Sequence, residues 1–183
     1  MSMVRTISGL VLFASTLLGV VTVYQVDPYA NLNDSAYIIR QSWVATCDSV
    51  VSVYFFAGRS PKTSNYNYRL AIRDNGQELG YIEVNDDPEY QFVGGEFSQP
   101  IPLVKGKKYE LEIRHTAPDV KVNFYYTPDS VGYPHGQLTN PNMPDYDLCA
   151  RVWGRSWVPE GFFSCQMYGD TIQAKAPMAA TAG

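Results

Sequence analysis

Histidine is almost missing from this chain: its 183 residues include two, His115 and His135. A serine or cysteine nucleophile needs a general base within hydrogen-bond reach, and no G-x-S-x-G or comparable signature accompanies either histidine. Cysteine is scarce as well. Cys47, Cys149 and Cys165 are far apart and form no C-x-x-C pair, which argues against structural zinc. No basic run offsets the net charge of −4, so the clustered Lys and Arg that a nucleic-acid backbone demands are lacking. Carboxylates do cluster, at Asp86, Asp87 and Glu89 and at Asp145 and Asp147. Confined to short loops, they suit solvated acidic turns better than the opposed pair of a glycosidase or the many oxygens of a calcium site. The expectation is a protein with no catalytic residue, no metal and no cofactor.

Helical periodicity and internal repeats are also wanting beyond the first segment. Aromatic residues are abundant: 14 Tyr, 8 Phe and 3 Trp, with 12 Pro and 14 Gly, a composition of strands separated by many turns. The clearest strand spans residues 108–114. Tyr109, Leu111 and Ile113 point one way, and Lys108, Glu110, Glu112 and Arg114 the other, giving one dry face and one wet face. Residues 104–107 lead into it as a tight turn in which Gly106 is free to take positive φ. A half-solvated strand of this kind belongs to an antiparallel sheet.

Further strands are expected at residues 36–45, 49–57, 66–73, 78–84, 92–98, 120–126 and 147–154. Residues 49–57 are apolar on both faces and read as a central, doubly covered strand. Asp74-Asn75-Gly76 is the strongest hairpin signal in the chain. The stretch 92–98 should bend at Gly94-Gly95, and residues 127–146 read as a long loop. About eight short strands with turns between them predict an all-β fold, an antiparallel two-sheet β-sandwich of jelly-roll type. Its core should include Val51, Val53, Phe55, Leu70, Ile72, Tyr109, Leu111, Ile113, Phe124 and Val152.

Residues 6–26 carry no charge. Residues 1–5 would serve as the positive start of a secretory signal peptide, but Val20-Val21-Thr22 makes a poor cleavage site. A membrane helix is the second reading, weakened by Ser8, Ser15, Thr16, Thr22 and two glycines. The third is a strand-forming arm, with Ile7, Val11, Phe13, Leu17, Val21 and Val23 as its large residues. An apolar arm of this length must sit in lipid, in its own domain or in a neighbouring subunit. Residues 27–34 read as a polar linker, within which Asn33-Asp34-Ser35 fits the N-glycosylation pattern. The organisation expected is therefore an arm and linker over 1–34, a sandwich over 35–170 and a small-residue tail over 171–183.

Several spaced motifs together carry a family resemblance: Trp43-x-Ala45-x-x-Asp48-x-Val50-x-x-Val53, then Tyr68-x-Leu70-x-Ile72, then Phe97 through Ile101, Leu103, Gly106, Tyr109, Leu111 and Ile113, then Tyr133-Pro134-x-Gly136, and last Asp147-Leu148-x-x-Arg151-Val152-Trp153-Gly154. This order resembles the galactose-binding-like jelly rolls of secreted bacterial surface proteins, over roughly residues 36–154. The resemblance implies the sandwich fold and a domain that binds glycans or joins other modules. The apolar arm is a departure from that pattern. By mechanism, the arm resembles those of donor-strand pilus and fibril subunits.

Two functions follow as expectations. The first is an extracellular, non-catalytic structural subunit that polymerises head-to-tail by giving its arm to the next copy, meeting the membrane only during export. The second is a secreted glycan-binding module, with Tyr66, Tyr125, Tyr133, His135 and Trp157 as candidate sugar contacts; each alone is more often packing or a loop anchor. A hairpin after Trp157 would set Cys165 opposite Cys149, where a disulfide suits a secreted protein. Cys47 would then be left as a buried thiol.

Overall fold

The computed structural model describes residues 18–28, 32–58, 67–85, 90–130, 132–157, 165–168 and 171–174, with the backbone alone for 18–21, 157 and the last two segments. Gly19–Ser156 form one compact unit, and Met1–Leu18 with Trp157–Gly183 a second. The described part of the second unit is an antiparallel hairpin that sets Cys165 opposite Ala174 and Tyr168 opposite Thr171. The tail expected from residue 171 onward thus begins with a strand.

The strands of the main unit are β1 (Leu18–Gln25), β2 (Asn33–Ala36), β3 (Ile38–Val44), β4 (Ser49–Ala57), β5 (Asn67–Asp74), β6 (Gln77–Asn85), β7 (Gln91–Pro102), β8 (Lys108–His115), β9 (Val122–Pro128), β10 (Gln137–Asn140), β11 (Tyr146–Leu148) and β12 (Ala150–Trp157). They form an all-β, two-sheet antiparallel sandwich. One sheet has seven strands, in the order β1-β12-β4-β9-β11 with β2 on β9 and β7 on β4; the other has five, in the order β10-β3-β8-β5-β6. The eight expected strands are present, and the additional ones lie in segments read as arm, linker and loop.

Strand β8 is the centre of the five-stranded sheet, with Leu111 between Gln41 of β3 and Ile72 of β5. Tyr109, Leu111 and Ile113 are buried as the alternation requires. The opposite face is less wet than the pattern implies. Glu112 is 1% exposed. Arg40 Nε lies 2.8 Å from its carboxylate, Arg73 Nη1 3.0 Å and Arg114 Nε 3.9 Å. Guanidinium groups from three strands close over one carboxylate, and that pairing is what permits a buried charge. The turn before β8 has Gly106 at φ +79°, and the β5–β6 turn has Asn75 at +47° and Gly76 at +82°, the left-handed pair that a type I′ hairpin needs.

Strand β4 is central, between β12 and β7 and bridged to β9 at Ala57. The expected core holds along it and elsewhere, with one correction. Val51 is only partly buried, while Val50 is fully buried. The register against β7 and β12 skips Val51, so a β-bulge shifts the alternation by one residue at that point.

The closing strand is one chain run with two partners. Its first part, β11, pairs with β9, and its second, β12, pairs with β4. The exchange occurs at Cys149, whose N–H donates to Tyr125 O at 2.9 Å and whose carbonyl accepts from Phe56 N at 2.8 Å. Asn33 and Asp34, read as the end of a polar linker, are not free either. Asn33 to Ala36 pair with β9, Asn33 opposite Tyr125 and Ala36 opposite Val122.

Leu111→Ala should lower stability by about 2–5 kcal/mol, whereas Val51→Ala should cost only about 0.5–1 kcal/mol. Urea unfolding of the two variants checks the contrast. Equal losses would mean that the bulge is misplaced.

Candidate functional site

Strand β1 supplies side chains to the core of the main unit. Val23 is 4% exposed, Tyr24 1% and Val26 4%. Gly154 of β12 makes room for Val23: a methyl group there would stand 2.8 Å from Val23 Cγ2 and would collide with Cys47 Sγ. Tyr24 reaches deepest. Its hydroxyl donates to Leu148 O at 2.5 Å, and its ring packs edge-on against Tyr133 at 5.0 Å. The chain leaving β1 is tied down as well. Val26 N–H donates to Ala150 O at 3.0 Å, Asp27 pairs with Arg151 at 2.7 Å, and Thr127 Oγ1 donates to Asp27 O at 2.9 Å.

Of the arm residues, Val23 therefore lies in the core of its own unit and Val21 in the β1 backbone, whereas Ile7, Val11, Phe13 and Leu17 lie outside the described residues. The arm was expected to sit in lipid, in its own domain or in a neighbouring subunit. Its last part belongs to the domain, because Val23, Tyr24 and Val26 are among the residues that fill the seven-stranded side of the core.

Below Tyr24 lies a buried polar junction. Gln41 of β3 donates through Nε2 to Asp147 Oδ1 at 2.8 Å and accepts through Oε1 from Leu148 N at 2.8 Å. Tyr133 N–H donates to Asp147 Oδ2 at 2.6 Å. One glutamine thus links the two sheets, and one carboxylate holds the Tyr133 loop. Burial raises the Asp147 pKa from 3.8 to about 6; the Tyr133 and Gln41 hydrogen bonds oppose the rise, and nearby Asp129 adds to it.

The sugar-contact candidates do not meet at one place. Tyr133 is committed to Tyr24 and donates its hydroxyl to Val44 O at 3.3 Å; exposed His135 stands beside it at 5.7 Å. Tyr125, expected on a wet face, is buried against Phe56 at 5.2 Å, though its edge reaches an open cleft that Asn33 also lines. Tyr66 and the side chain of Trp157 lie outside the described residues. The sequence reading missed Tyr90, which is 58% exposed in that same cleft. Its position after an acidic loop, just before β7, was the available signal.

Cys149 is buried, with Sγ 3.3 Å from Thr127 Oγ1. The side chain of Cys165, its expected disulfide partner, lies outside the described residues. The strand carrying Cys165 pairs with Thr171–Ala174.

An acid whose pKa is higher folded than unfolded binds its proton more tightly in the folded state, so its ionisation destabilises the fold. For Asp147 the stability contribution is complete below pH 3.8 and is lost as pH rises through about 6. The loss is on the order of 2–3 kcal/mol. The stability of the native protein relative to Asp147→Asn should therefore rise by that order between pH 7.5 and pH 4.5 in paired urea titrations. A difference that does not change with pH would contradict this.

No known protein-family model matches the chain, and no curated protein sequence matches it either.

Proposed function

We propose that this chain is a non-catalytic structural subunit, exported to the cell exterior, that joins copies of itself by exchange of its N-terminal strand. The observation that carries the reading is that β1, an edge strand at the N-terminal end of the unit, fills the core through Val23 and Tyr24, with buried Val26 just after it. An edge strand that completes a core can be supplied by another copy with the same contacts, which makes such an exchange cheap in free energy. Passed from each copy to the next, the strand gives an open filament instead of a closed ring.

The anchors at Val26 and Asp27 would travel with β1, because they bind it to β12 and β9. A strand passed to another copy would therefore part from its own unit after Asp27, and Pro28 disfavours a helical continuation there. Burial of the strand in a neighbour recovers roughly 25 cal/mol for each Å² of apolar surface removed from water.

The test is co-refolding of two populations of the full chain that carry different affinity tags, followed by capture on one tag. Strand exchange predicts that the second tag is captured and that light scattering finds oligomers extending to high mass. Val23→Asp should abolish the capture, because it places a charge where the slot admits none. A full chain that stays monomeric after refolding at high concentration, or capture that persists in a folded Val23→Asp protein, would overturn the reading.

A further inference from the structure

Asp147 is fully buried, with groups from several elements packed against it. From β3, Gln41 Nε2 donates to one carboxylate oxygen at 2.8 Å; from the segment between β9 and β10, the Tyr133 N–H donates to the other at 2.6 Å. Gly132 lies so close that a methyl group there would collide with Oδ2. Asp129, on the same segment, sets a second carboxyl group beside the first. Its N–H donates to Asp145 O at 3.0 Å, which ties the segment to the residue just before β11. From β1 comes the Tyr24 hydroxyl, whose ionisation the Asp147 charge opposes, and the buried Cys149 thiol lies near Tyr24 as well.

A buried carboxyl group resists ionisation, and a neighbouring carboxylate adds to that resistance. With its proton in place, Asp147 completes the junction without a charge in the interior. Loss of the proton leaves a negative charge there, beside Asp129. The strain falls on the segment from Asp129 to Gly136, and Tyr133 carries it onward. The Tyr133 N–H is on Asp147, and its ring packs edge-on against Tyr24 at 5.0 Å.

We propose that Asp147 is a proton-operated latch on β1: protonated, it holds the Tyr133 segment against Tyr24 and keeps β1 seated; ionised, it loosens that segment and lets β1 leave its slot. The direction follows from burial. While β1 and Tyr133 are seated they keep water from the carboxyl group, so the seated form binds the proton more tightly than the released form. Burial holds the Asp147 pKa at about 6 in the seated form, against 3.8 for a solvated carboxyl group. Release of β1 is therefore about tenfold more frequent at pH 8 than at pH 5. In a chain that passes β1 between copies, the latch would hold the strand in acid and free it at neutral pH. That consequence rests on the strand-exchange reading; the latch itself does not.

The test is amide hydrogen exchange of the full chain in dilute solution at pH 5 and pH 8, with each rate compared with that of an unstructured chain at the same pH. The probe is the Val26 N–H, which donates to Ala150 O at 3.0 Å and is freed when β1 leaves. The amides of β8, in the middle of the other sheet, report unfolding of the whole unit. Val26 should lose about tenfold in protection between pH 5 and pH 8. It should also be less protected than the β8 amides, and dilute urea should leave its protection unchanged, as a local opening requires. Asp147→Asn should abolish the fall, and Asp129→Asn should shrink it. The latch is overturned if Val26 is equally protected at both pH values, if it exchanges only together with β8, or if the fall persists in full in a folded Asp147→Asn or Asp129→Asn protein. A chain that shows the pH-dependent opening but fails the tag-capture experiment would refute strand exchange and leave the latch standing.

Discussion

The Tyr24 hydroxyl bonded to Leu148 O is the contact on which most of the main unit turns. It lies where the closing strand passes from β9 to β4, one residue before Cys149. The same Leu148 gives its N–H to Gln41, and Gln41 in turn holds Asp147, which holds the Tyr133 loop. Tyr133 then packs back onto Tyr24. The circuit joins the two sheets, the closing strand and the N-terminal strand through buried and part-buried hydrogen bonds. Such a network is worth its desolvation only when every member is satisfied, so loss of β1 would leave Leu148 O, and the groove around it, uncovered.

The architecture was legible wherever one strand face is dry and the other wet. Residues 108–114 gave their orientation by alternation alone, and Asn75-Gly76 gave a turn that its backbone angles bear out. Three kinds of feature were not legible. Glu112 looked solvated because its cover comes from Arg40 and Arg73, distant in sequence and adjacent only across strands. Val51 looked inward-facing because a bulge leaves no mark in a run of apolar residues. Strand β2 reads Asn-Asp-Ser-Ala, a turn-like composition, and is a strand because β9 offers it an edge to pair with. Tertiary context overrides local preference in each case.

The functional candidates divided along the same line. Residues 6–26 stood out by their apolar, β-branched sequence, but a sequence cannot say whether such a stretch belongs to its own unit or to another; its described part, β1, lies in its own unit. The aromatic candidates were chosen as residues in loops or on wet faces, and two of them, Tyr125 and Tyr133, proved to be packed against other rings. Tyr90 acquires its prominence from an unusual backbone angle and a supporting series of rings drawn from three separate strands. None of these is encoded locally.

The central claim is that β1 occupies a slot that accepts a strand from outside the chain as readily as its own. The most direct measurement is titration of a protein lacking residues 1–26 with a synthetic peptide of residues 18–27. The account predicts saturable one-to-one binding and a rise in the unfolding midpoint, reduced when the peptide carries Ala in place of Tyr24. A truncated protein as stable as the full chain that does not bind the peptide would contradict it.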